Sequence, residues 1–179
     1  MAGDCFAWHI TWTCYGTWLP GDPRGHVSNI LLPAGGFERK RNTPGRPVMP
    51  GDAYTQDRAR ALQKYETVWL TQEQALIAAH ALIDAARARG WRILRAAIMA
   101  NHVHVVITDC PADGPAVRRV LKGNSDAKLR ANESRRWWTA GGSDRSKRDA
   151  PAIEAAVNYV ANQKGKLAEI IDMEVFSCP

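Results

Sequence analysis

Ala96-Ala97-Ile98-Met99-Ala100-Asn101-His102-Val103-His104-Val105-Val106-Ile107-Thr108 is the stretch whose reading decides the fold of this chain. Its apolar opening predicts a buried β-strand, Ala100-Asn101 a tight turn, and the β-branched run that follows a second strand. Side chains alternate along a strand, so His102 and His104 share one face while Val103, Val105 and Ile107 point the other way into a core. Two imidazoles side by side on a stiff strand make a preorganised pair of metal ligands. They equally suit the polar side of a half-exposed strand. The residues of this segment leave both readings open.

Toward the N-terminus, Phe6 to Thr13 has the same alternation. Phe6, Trp8, Ile10 and Trp12 form an apolar face, and Ala7, His9, Thr11 and Thr13 a smaller, more polar one. From Cys14 to about Gly51 the pattern dissolves, and six of the ten prolines fall in this segment. Turns rather than regular elements are expected there. The cluster Arg39-Lys40-Arg41, with Arg24 and Arg46, makes it basic. Asp52 opens a short helix predicted to run to Glu66. The expected organisation is therefore one domain over residues 1–179 with a long basic Pro/Gly-rich insertion at about 14–66. Thr71 and Gln74 form a capping-box pattern that starts a helix running to Arg89, stopped by Gly90. Trp91 to Met99 is then the strand entering the histidine hairpin. His80, in mid-helix, reads as a packed or surface side chain.

Toward the C-terminus, Pro115 to Ala131 predicts a helix with Val117, Val120, Leu121 and Leu129 apolar and Arg118, Arg119 and Lys122 among its cations, interrupted at Gly123-Asn124-Ser125. Arg135 to Thr139 reads as a fourth strand, Asp144 to Asp149 as a charged turn, and Pro151 to about Lys164 as a last helix stopped by Gly165. The tail to Pro179 follows no pattern. The order β-α-β-β-α-β plus one helix predicts an α+β fold of the ferredoxin-like, split β-α-β kind. It implies a four-stranded antiparallel sheet, two main helices on one face and an extra C-terminal helix. In that topology the first and third strands are central neighbours, so His9 and Thr11 flank His102 and His104. His9 is expected as a polar neighbour of the site.

Composition narrows the partners. Lys and Arg exceed Asp and Glu to give a net charge of +6, and the 179 residues include seven tryptophans. Cations meet phosphates and flat aromatic faces stack on bases, so a polyanionic partner is expected. Four scattered cysteines offer neither a disulfide framework nor a zinc knuckle. No signal segment is read before the first strand and no apolar run approaches the ~18 residues of a membrane span, so a cytoplasmic location without membrane association is expected.

The last helix supplies Tyr159 and Gln163, four residues apart and so on one helical face. Alone, Tyr159 reads as a partly buried packing residue; beside a two-histidine strand it is a candidate nucleophile. Asn101-His102-Val103-His104 followed by a Tyr-x-x-x-Gln helix resembles the tyrosine transposases of the IS200/IS605 type. The resemblance is closer still to their relatives associated with repetitive extragenic palindromes. Trp18-Leu19-Pro20-Gly21-Asp22-Pro23-Arg24-Gly25 and Trp138-Thr139-Ala140-Gly141-Gly142-Ser143 resemble a subgroup of that family. The similarity runs in order along nearly the whole chain, whereas residues 34–66 match none of its motifs.

The resemblance implies a ferredoxin-like single-strand endonuclease and transposase of the His-hydrophobic-His class that binds imperfect DNA hairpins, as a monomer or a homodimer. It implies Tyr159 as the catalytic nucleophile, forming a 5′-phosphotyrosine link. It implies Mg²⁺ or Mn²⁺ held by His102, His104 and Gln163. Arg39, Lys40, Arg41, Arg118, Arg119 and Lys122 are the candidate DNA-backbone contacts. One alternative is a non-catalytic ferredoxin-like nucleic-acid-binding protein derived from such an enzyme. Another is a metal-dependent phosphoesterase using water, with Tyr159 structural.

Overall fold

Alternating apolar residues and well-placed caps set the elements. In chain order they are β1 (Ala7–Thr13), β2 (Ile30–Leu31), β3 (Phe37–Glu38), α1 (Ala53–Ala61), α2 (Gln72–Arg87), β4 (Arg92–Met99), β5 (His102–Thr108), α3 (Gly114–Asn132), β6 (Ser143–Lys147), α4 (Ala150–Ala161), β7 (Lys166–Ile171) and β8 (Glu174–Ser177). The structure, a computed structural model, describes residues 6–25, 30–31, 37–38, 49–111 and 113–178. The chain divides into two compact units, one formed by Met1–Cys14 with Val68–Pro179, the other by Tyr15–Thr67.

The first unit is built on a six-stranded antiparallel sheet in the order β6-β1-β5-β4-β7-β8. The fold is mixed α+β as expected, but the sheet has six strands where the sequence led us to expect four. The additional pair, β7 and β8, comes from the C-terminal tail. That tail alternates only weakly: along β7 just Ala168 and Ile170 are buried, and none of β8 is. The adjacency of β1 and β5 agrees with the sequence reading, with Thr11 opposite His104 and Thr13 opposite His102.

A second correction concerns the strand beside β1. It is Ser143–Lys147, which overlaps the segment Asp144 to Asp149 read from sequence as a charged turn, and not Arg135–Thr139. Trp137 and Trp138 are buried, and Trp138 joins the sheet only through an isolated bridge to Cys14. Its ring meets Trp12 edge-on with centroids 6.0 Å apart. These indoles serve as core, which is the stronger use of such large apolar surfaces. An edge strand needs no apolar alternation when one side is exposed, so Ser143–Lys147 gave no period-two signal.

One sheet face carries Ile10, Trp12, Val103, Val105, Ile107 and Ile98, all buried. It is covered by α2 and α3, which also pack on each other. The capping box at Thr71 starts α2 as expected, and Gly90, at φ +69°, supplies the left-handed residue after its end. α3 runs without a break through Gly123-Asn124-Ser125. The polar side chains there turn back on the helix itself: Asn124 Nδ2 donates to Val120 O at 2.9 Å and Ser125 Oγ to Lys122 O at 3.0 Å. The opposite sheet face is covered in part by α4, whose Ile153, Ala156 and Val160 pack on Ala7, Ala97, Met99 and Val106.

Gly114 opens α3 against β1. A Cβ there would lie 2.7 Å from Trp8 Cε3 and 2.8 Å from Asp144 Cβ. The indole cannot easily yield, because its Nε1 donates to Pro111 O at 3.1 Å. Gly114→Ala should therefore destabilise the protein by about 1–3 kcal/mol through overpacking. Urea unfolding checks this, and a midpoint equal to wild type would show that α3 can shift freely on β1.

In the second unit, Asp52 caps α1 by accepting from Thr55 N at 2.7 Å. The Trp18–Gly25 segment is an ordered turn. Arg24 donates through Nε and Nη2 to the two carboxylate oxygens of Asp22, both at 2.7 Å, and its guanidinium lies 4.6 Å from the Trp18 ring centroid. Among the described residues no helix is long and apolar enough to cross a membrane.

Candidate functional site

The hairpin between β4 and β5 is braced at its tip. Leu70 N donates to Ala100 O at 2.7 Å and Cys14 N to Asn101 O at 2.8 Å. Behind that turn, β5 projects His102 and His104 from the sheet face that α4 shares. Their rings lie 4.8 Å apart and nearly perpendicular, at 86°.

Each histidine has a polar partner at Nδ1. Asn101 Oδ1 is 2.6 Å from His102 Nδ1. A carboxamide oxygen only accepts, so the proton of neutral His102 sits on Nδ1 and the lone pair on Nε2. Nδ1 of His104 lies 2.9 Å from Thr11 Oγ1 and 3.2 Å from His9 Nε2, both contributed by β1. His9 is thus a direct partner of His104.

Burial keeps the His104 and His9 rings neutral. It pushes His104 down to about 3, with His102 and His9 nearby adding to the effect. It pushes His9 down to about 4, helped by the positive charges of Lys147 and Arg145. At neutral pH both imidazoles are free bases, the form that binds a metal.

α4 brings the phenol. Asp149 caps it by accepting from Ala152 N at 2.8 Å, and Pro151 fits the first turn. With Ile153, Ala156 and Val160 packed on the sheet, Tyr159 stands beside the histidines. Its ring centroid is 5.5 Å from that of His104 and 5.6 Å from that of His9, while the residue stays 53% exposed. A hydroxyl accessible to a long substrate and flanked by neutral imidazoles can act as a nucleophile toward phosphorus.

Gln163 sits differently from the sequence reading. α4 ends at Ala161 with Asn162 as its C-cap, so Gln163 lies just past the helix and not within it. Asn162 N and Gln163 N close the last turn on Asn158 O and Val160 O. The Gln163 Nε2 donates to Tyr159 O at 3.1 Å, which ties it to the backbone of Tyr159. Among the described residues, no hydrogen bond links it to either histidine.

The donors that β5 brings together at this place are two imidazoles, His102 and His104. Among the described residues no group of three or more His, Cys, Asp or Glu side chains is arranged to hold a metal. A neutral set of this kind fits an ion that arrives with, and is completed by, phosphate oxygens.

The sequence-predicted cations divide. Arg118 is drawn to Asp144 of β6, with side chains 17% and 12% exposed. Lys122 donates to the carbonyls of Thr139 and Gly141, and burial pushes it down to about 8. Both are engaged in tying α3 to the segment before β6, while Arg119 is exposed. Arg39, Lys40 and Arg41 lie outside the described residues. The sequence reading missed Arg145 and Lys147 on β6, opposite His9 and Ala7. Their spacing of two repeats that of His102 and His104, which is the signal that was available.

No protein-family model matches the chain, and no curated protein matches it. Among solved structures, a REP-associated tyrosine transposase bound to a REP hairpin aligns with 88% of this chain at 13% identity and a TM-score of 0.48. The chain spans 65% of the length of that protein.

Proposed function

We propose that this protein is a metal-dependent single-strand DNA endonuclease and transposase that recognises DNA hairpins and acts through Tyr159. The observation that carries the reading is the convergence of three elements distant in sequence. β1 supplies His9 and Thr11, β5 supplies His102 and His104, and α4 supplies Tyr159, the ring of which lies 5.5 Å from that of His104. The sequence resemblance set out above supports the same reading.

In the proposed step, Tyr159 Oη attacks the scissile phosphorus. A new O–P bond forms as the bond from phosphorus to the 3′-oxygen breaks. The phenolic proton is lost to solvent and the departing 3′-oxygen takes one up, giving a 5′-phosphotyrosine and a free 3′-OH. The phosphodiester energy is kept in the link, so attack by a 3′-OH reverses the step without ATP. His102 and His104, joined by the Gln163 carboxamide, would hold Mg²⁺ or Mn²⁺, which when bound supplies Lewis-acid polarisation of the phosphate. Asn101 and Thr11 orient the two imidazoles, and His9 backs His104.

A labelled hairpin oligonucleotide with single-stranded flanks, incubated with the protein and Mn²⁺ and run on a denaturing protein gel, tests this. A labelled band at the protein's position is expected. Hairpin binding without any such band would overturn the nuclease reading in favour of a non-catalytic DNA-binding protein, and cleavage without it would indicate hydrolysis by water.

A further inference from the structure

β6 is an edge strand, and its register on β1 pairs Ser143 with Thr11, Arg145 with His9 and Lys147 with Ala7. Residues directly opposite one another on neighbouring strands share a face. Ser143, Arg145 and Lys147 therefore lie on the side of the sheet that carries His9, His104 and Tyr159. The intervening Asp144 points to the other side, where Arg118 of α3 takes it.

The two cations stand out by lacking partners. Elsewhere on this sheet Arg92 pairs with Asp172, and Arg95 and Lys166 both pair with Glu169. Neither Arg145 nor Lys147 makes an ion pair or side-chain hydrogen bond among the described residues. Arg145 is exposed and Lys147 half-buried. The side chain opposite Arg145 is the imidazole of His9, and among the described residues no carboxylate pairs with either cation. The field of these two cations acts on any anion placed there. Two cations two residues apart on a strand are about 6.8 Å apart along it, enough to engage separate phosphates of one chain.

We propose that Arg145 and Lys147, with the Ser143 hydroxyl, form a phosphate-binding track along β6 that holds single-stranded DNA beside His9 and leads the scissile phosphate to Tyr159. The track deepens the proposed function and rests on it. It also accounts for a basic chain whose predicted contacts on α3, Arg118 and Lys122, are engaged within the fold. The backbone would lie across an exposed edge, where a flexible strand can enter from solvent.

The test is fluorescence anisotropy with a labelled single-stranded hairpin oligonucleotide across a salt series. Each phosphate contact on a single strand contributes about 0.7 to the slope of log K against log salt. Arg145→Gln with Lys147→Gln should therefore lower the slope by about 1.4, while the exchange Arg145→Lys with Lys147→Arg should keep it. Lys128→Gln, at an exposed position of α3 across the sheet, controls for the loss of one positive charge elsewhere and should leave the slope close to wild type. An unchanged slope in the double glutamine variant, with wild type binding normally, overturns the track alone, as does an equal loss in Lys128→Gln. Wild-type protein that does not bind the hairpin overturns the proposed function and the track with it.

Discussion

Tyr159→Phe is expected to eliminate the covalent protein–DNA adduct while leaving hairpin binding nearly intact. The substitution deletes one oxygen, the proposed attacking atom, and keeps the ring whose centroid lies 5.6 Å from that of His9 and 5.5 Å from that of His104. Tyr159 is 53% exposed, and its α4 neighbours Ala156 and Val160 carry the helix's packing on the sheet. Loss of the hydroxyl should therefore cost little stability, within about 0.5 kcal/mol as for most surface changes. Denaturing gels with a labelled hairpin read the adduct, and anisotropy reads binding on the same preparations. An adduct of wild-type yield in the variant would exclude Tyr159 as nucleophile. Simultaneous loss of binding would place the phenol in DNA recognition instead.

How much of this site the sequence disclosed follows from where its order comes from. His102 and His104 were legible because they stand two apart on a β-branched strand, and the adjacency of β1 and β5 followed from element order. Those two facts alone brought His9 and Thr11 to His104, where the structure has them at 3.2 and 2.9 Å. Asn101 was visible as a turn residue, but its bond to His102 Nδ1 depends on a side-chain rotamer that no periodicity encodes. β6 was illegible for a different reason. An edge strand with Ser, Arg and Lys on its open side carries no hydrophobic period, and the neighbouring Arg135–Thr139 segment, richer in aromatics, imitated it. Gln163 was read into a helix that ends just before it, because the C-cap at Asn162 is set by backbone bonds to Asn158 and Val160. The cations of α3 show the limit of charge as a guide. Arg118 and Lys122 read as backbone contacts, yet a carboxylate on β6 and two carbonyls nearby engage them.

His104→Ala should lower the rate of adduct formation by about 100-fold or more in protein that still folds. His104 is the more buried of the two β5 histidines, at 7% exposure, with both β1 partners on its Nδ1. For its Nε2 to offer a lone pair, Nδ1 must carry the proton and donate it to Thr11 Oγ1 or His9 Nε2. Thr11 and His9 thereby set the tautomer of a group they do not replace. Truncating the imidazole removes one of two nitrogen donors from a site without a carboxylate. Lewis-acid stabilisation is worth several kcal/mol, and about 1.4 kcal/mol is a factor of ten. The stability cost should be about 1–3 kcal/mol, from the cavity and from β1 groups left without a partner. Thr11→Val keeps the shape of the threonine and removes only the hydroxyl, so it should fall between wild type and His104→Ala, with about a 10-fold to 100-fold loss. Because it acts through His104, it should add nothing further in the His104→Ala background. Calorimetric titration of Mn²⁺ in the presence of an uncleavable hairpin gives a second readout, and affinity should fall in the same order. Folded His104→Ala protein that forms the adduct at the wild-type rate, with Mn²⁺ affinity unchanged, would make the two histidines no more than the polar side of a strand.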